Sequence, residues 1–109
     1  MRELRFRSWD SEKSEMLEVV DLSGPISTYK WLGKIDVEIM QYVGLKDKNG
    51  VNIFEGDILQ NDNGPISKVV FWEGAFCLDF GTGLIHFNFA PCRTKTVIGN
   101  IHENPELLK

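Results

Sequence analysis

The chain has 109 residues, with 42% apolar, 11% aromatic and 26% charged residues, a net charge of -4 and a pI near 5.1. That length suits one domain spanning residues 1–109, with enough chain to bury a core without disulfide or metal staples. The acidic balance excludes a global attraction to nucleic acid or anionic membrane, and two cysteines are too few for a disulfide scaffold.

The opening MRELRFRSWD lacks the apolar stretch of a secretory signal, and no apolar run approaches the roughly 20 residues of a membrane span. A cytoplasmic protein is expected. Residues 3–9 alternate, Leu4 and Phe6 against Arg5, Arg7 and Trp9, which predicts a half-buried strand. A polar turn over 10–15 leads to a return strand over 16–22. Turn residues at 23–25 and scattered apolar residues leave 23–35 open between a loop and one helical turn.

Residues 36–44 alternate again, with Val37, Ile39 and Val43 on one face and Met40 and Tyr42 on the other. The stretch GLKDKNGVNIFEGDIL (44–59) follows. Asp47-Lys48-Asn49-Gly50 fits a type I turn, in which the Asp47 carboxylate accepts from backbone N–H groups and Gly50 takes positive φ. A G1 bulge at Gly50 pairs Asp47 with Val51 and Leu45 with Ile53; a two-residue Asn49-Gly50 turn would instead pair Leu45 with Phe54. The first register is preferred because Asp favours the leading turn position. Gly56 permits an abrupt redirection, and Asp57 can tie down the start of the next strand.

Strands are then expected over 56–62, 66–73, 75–80, 84–89 and 95–102, with Glu73-Gly74 and 81–83 as tight turns. Asn104 and Pro105 suit the cap and first position of a short helical turn. Seven to eight short strands with almost no helical periodicity predict a mainly β fold, a small pseudo-barrel or sandwich.

Three blocks, MRELRFRSWD, MQYVGLKDKNGVNIFEGDIL and VIGNIHENPELL, resemble the YopX family of phage and prophage proteins, in the same order. The resemblance implies a β-rich pseudo-barrel encoded in a phage genome and brings no catalytic residue with it. The matched positions Gly44, Gly50, Gly56, Asp57, Gly99 and Pro105 read as backbone-setting. His102 departs from the family pattern, which more often has an aromatic there.

Several chemistries compete for the side chains. A calcium loop requires D-x-[DN]-x-[DN]-G, and Gly50 falls two residues too early, so no metal is expected there. Cys77, His86, Cys92 and His102 match a zinc site in number, but gaps of eight, five and nine residues are unlike the close pairs that zinc sites use. Glu55 with Asp57, or Asp57 with Asp62 and Asp79, could form an acidic catalytic set, yet no partner group is evident. No enzyme activity and no cofactor are expected. Arg2, Arg5, Arg7 and Trp9 are weak candidates for a single-stranded nucleic-acid track, cations interleaved with an aromatic. Asp47, Asn49, Gly50, Gly56 and Asp57 are structural turn residues. Phe71, Trp72, Phe76, Phe80, Phe87 and Phe89 cluster within 19 positions, and strands apolar on both faces need a second covering layer. Homo-oligomerisation follows as the expected property, with binding to a host or phage protein as a further expectation.

Overall fold

The computed structural model describes residues 5–21, 37–62, 64–87 and 94–108. Arg2, Leu4, Cys92 and the segment 23–35 lie outside the described residues. Within them the fold is mainly β. The strands are β1 (Arg5–Asp10), β2 (Glu15–Asp21), β3 (Val37–Lys46), β4 (Asn52–Phe54), β5 (Asp57–Asn61), β6 (Ile66–Trp72), β7 (Ala75–Asp79), β8 (Leu84–His86) and β9 (Lys95–Asn100). A 3-10 turn at Pro105–Leu108 follows, as the Asn104-Pro105 pair predicts. Nine strands among the described residues exceed the expected seven to eight by β4, the short return arm of the Asp47 turn. No helix among the described residues is long and apolar enough to cross a membrane.

The strands form two sheets, ordered β2-β1-β3-β4 and β8-β7-β6-β5-β9, with every pairing among these strands antiparallel. Val43 and Ile53 of the first sheet pack against Leu59, Val69 and Leu78 of the second, and Phe76, Phe80, Phe87 and Val97 border this core. Burying these side chains is the main favourable contribution to folding.

The chain changes sheets at Glu55-Gly56. Glu55 N–H still donates to the Gln41 carbonyl of β3, whereas Gly56 N–H donates to Val69 of β6 and its carbonyl accepts from Ile101. Consecutive residues therefore belong to different sheets. Gly56 makes this possible at φ +88°, and a Cβ there would lie 3.1 Å from Met40 Sδ.

At the Asp47 turn Gly50 has φ +81°, Gly50 N–H donates to the Asp47 carbonyl, and Asp47 N–H donates to Val51. The preferred register holds at the turn and continues to Lys46 opposite Asn52. The expected Leu45–Ile53 pair does not form. The next pair is Tyr42 with Phe54, so three residues of β3 oppose Ile53 alone. Gly44, at φ +98°, allows this bulge. As a result the neighbours Tyr42 and Val43 are both buried, Leu45 is exposed, and the simple alternation expected of 36–44 breaks; Ile39, predicted to share a face with Val43, is exposed.

Candidate functional site

Among the described residues, the seam between the sheets and the far end of the β6–β8 meander both carry chemistry beyond ordinary packing. The seam is built from the central turn segment. Asp57 opens β5 directly after the sheet change, and its side chain turns back toward β1. Its Oδ1 lies 2.6 Å from the Arg7 guanidinium, and its Oδ2 accepts from Phe54 N–H at 2.8 Å. The two side chains are 2% and 12% exposed, so solvent screens the pair little. The guanidinium also lies over the Phe54 ring, 4.8 Å from its centroid, and Phe54 tilts against Tyr42. Burial pushes the Asp57 carboxyl above its ordinary range, against the opposing pull of Arg7 and the Phe54 amide. Every carboxylate oxygen already has a donor, so the pair works as a clamp between sheets.

Asp47 makes a second clamp. Its Oδ1 accepts from the Asn49 and Val51 amides and its Oδ2 from the Val97 amide of β9, all within 2.9 Å. Burial alone would raise this carboxyl, but the three amides, helped by Lys48, leave it below its ordinary range. The turn is thus fastened to the second sheet, which Lys48 N–H also reaches through the Lys95 carbonyl.

The other sequence candidates disperse. Arg7 is taken by Asp57. Trp9 stacks on His102, with ring centroids 5.1 Å apart and planes 11° apart. His102 Nε2 lies 2.9 Å from Glu38 Oε2, without hydrogen-bond geometry. The ring therefore fills the aromatic place that the sequence pattern suggested. Arg5 is half-buried and has a partner in the fold. Glu55 reaches the Gln41 amide at 3.5 Å, Asp62 pairs with Lys48 at the surface, and Asp79 accepts from Gly81. Cys77 is buried opposite His86, while His102 stands against Trp9 of the first sheet. Among the described residues no three His, Cys, Asp or Glu side chains are grouped to hold a metal ion.

The second place is the β6–β7 hairpin. Glu73 and Gly74 take φ +46° and +84°, the left-handed pair of a type I′ turn, which joins Trp72 directly to Ala75. Beyond the core the hairpin carries Phe71 at 51% exposure and Trp72 at 57%, with Phe71 set edge-on to Phe76 at 5.1 Å. Leu84 and Ile85 of the adjoining β8 are exposed as well. Strand alternation puts Phe71 and Ile85 on one face and Trp72 and Leu84 on the other.

The YopX protein family model matches residues 5–109. The chain belongs to the YopX family. A crystal structure of protein EF1440 from Enterococcus faecalis is similar over 100% of both chains, with 32% identity and a TM-score of 0.71. The structure of the YopX protein from Bacillus subtilis is similar over 96% of this chain and 98% of its own, with 20% identity and a TM-score of 0.58; that likeness is one of fold. No curated protein matches the chain. The membership agrees with the block-by-block resemblance, and the central block of that resemblance holds both clamps of this YopX-family fold.

The sequence reads Asp47, Gly50, Gly56 and Asp57 as turn residues but does not show the distant partners of the two carboxylates. Arg7 and Val97 each lie fifty positions from the carboxylate they meet, and no local pattern marks such a pairing.

Proposed function

We propose that this YopX-family chain is a phage-encoded accessory protein of the bacterial cytoplasm that works by binding, without catalysis, as a homo-oligomer. The carrying observation is the exposed aromatic tip of the β6–β7 hairpin. Phe71, Trp72, Leu84 and Ile85 are all exposed at this end of the sheet, and grouped exposed apolar side chains mark interaction surfaces. An element apolar on both faces, Phe71 and Trp72 pointing oppositely, suits insertion against a second copy. Interfaces draw on such aromatic anchors. The acids support the non-catalytic part of the reading, since Asp57 and Asp47 direct their oxygens to internal donors. The single-stranded nucleic-acid reading gains nothing from this geometry, because Arg7 and Trp9 direct their charge and ring face inward.

Sedimentation at high micromolar concentration tests the proposal. The parent should sediment as an oligomer, and Trp72→Ala with Phe71→Ser should sediment as a folded monomer. A monomeric parent, or an oligomer indifferent to both substitutions, would remove the hairpin from the reading. Salt-dependent binding to single-stranded DNA, weakened by Arg5→Ala, would move the reading to nucleic acid.

A further inference from the structure

A cleft of about 500 Å³ opens on the outer side of the second sheet, at the end of β6 away from the aromatic tip. Its floor is one face of three strands. Gln60 stands opposite Ile66, and Lys68 opposite Asp79. Phe80 and Leu107 of the C-terminal 3-10 turn wall it. The size is in the range that takes a small ligand or a few residues of peptide.

The polar groups here are incompletely engaged. Lys68 Nζ and Asp79 Oδ2 are 3.9 Å apart, too far for a hydrogen bond. Asp79 Oδ1 is held by the Gly81 amide, which leaves Oδ2 directed at the gap. The Gln60 side-chain amide has no hydrogen-bond partner among the described residues. An ammonium, a carboxylate oxygen and a primary amide thus border one hollow, beside the apolar side chains of Ile66, Phe80 and Leu107.

The charge pairing narrows the occupant. An anion would meet Asp79 beside its lysine, and a cation would meet Lys68 beside its aspartate. A neutral group that both accepts and donates satisfies the two together. A peptide amide does so, its carbonyl toward Lys68 and its N–H toward Asp79, while Gln60 takes the next peptide unit. We propose that this cleft binds an uncharged, extended peptide segment with apolar side chains, held by its backbone amides between Gln60, Lys68 and Asp79. Ile66, Phe80 and Leu107 receive the side chains. The site is distinct from the hairpin tip and does not depend on oligomerisation.

Three probes with the same isobutyl side chain test the chemistry: N-acetyl-leucine amide, N-acetyl-leucine and leucine amide. Each is titrated into the isotope-labelled full chain and followed by amide chemical shifts. The doubly blocked probe should give saturable shifts at residues 66–68 and 79–81, with the two charged probes weaker. Lys68→Met and Asp79→Asn should each weaken it by about tenfold, the loss expected for one hydrogen bond to a charged group. Asn at 79 keeps an acceptor for Gly81, and Met at 68 keeps the stem, so both variants should fold with an unchanged spectrum elsewhere. Absence of saturable shifts in the cleft, tighter binding of a charged probe, or affinity indifferent to both substitutions would overturn the proposal.

Discussion

Arg7 and Asp57 meet across the boundary between the two sheets, 2.6 Å apart and almost wholly out of water. Losing one partner of a buried pair costs about 3–5 kcal/mol, because the other charge stays buried alone. Arg7→Met should therefore destabilise the fold by that order in urea titrations. Arg7→Met with Asp57→Leu removes both charges but leaves the Phe54 amide without its acceptor, at about 1–3 kcal/mol. The double variant should be more stable than Arg7→Met alone and less stable than the parent. Simple additivity of the two single losses would contradict a clamp.

The two central carboxylates should respond to pH in opposite directions. The folded-state value of Asp57 is raised, so the folded chain holds that proton more readily than the unfolded one. Its effect on stability is favourable at low pH and is lost as pH rises from the ordinary value of 3.8 through the raised value. Asp47 is depressed, so its contribution is present above 3.8 and disappears as pH falls through the folded value. The stability difference between the parent and Asp47→Asn should therefore shrink on acidification below that range. A difference that grew instead would mean that the Asn49, Val51 and Val97 amides do not hold the carboxylate.

Gly50 and Gly56 share a positive φ but not their surroundings. Nothing lies within 4 Å of a Cβ at Gly50, so Gly50→Ala should cost only the conformational penalty, about 1–2 kcal/mol. For a chain of this size that lowers Tm by about 4–8 °C per kcal/mol. Gly56→Ala adds a contact with Met40 and should cost more. Thermal melts decide the order, and millimolar calcium should leave each curve unmoved, since the Asp47 oxygens are occupied by amides.

His102→Tyr should be tolerated, because a phenol ring can keep the stack on Trp9. His102→Ala removes it, at about 0.5–1.5 kcal/mol beyond the lost area. Urea unfolding followed by tryptophan fluorescence compares the two. Equal losses would show that the stacked ring itself adds nothing.

Much of the fold was legible because it is written in short-range terms. Alternation located β1 and the β6–β7 hairpin, Glu73-Gly74 announced its turn, and Asp47 with Gly50 set theirs. The Gly44 bulge was not foreseen, since a glycine at a strand end carries no mark distinguishing a bulge from a stop. Arg5, Arg7 and Trp9 share a strand face as alternation requires, but alternation does not say whether water or Asp57 waits on that side. The zinc-like count of Cys and His depended on composition alone, and the sheets place Cys77 and His86 together but carry His102 to Trp9.

The clamps at Asp47 and Asp57 each reach fifty positions along the chain, one forward to Val97 and one back to Arg7. Both ends of the fold are thus anchored to a middle segment, which imposes an order on assembly at the ribosome. The N-terminal hairpin emerges long before the carboxylate that neutralises its arginine, and β9 arrives after its own anchor is already waiting. Such distant closures are entropically slow. Nascent chains stalled before residue 57 should keep β1 open to protease, whereas chains extended past β9 should protect it.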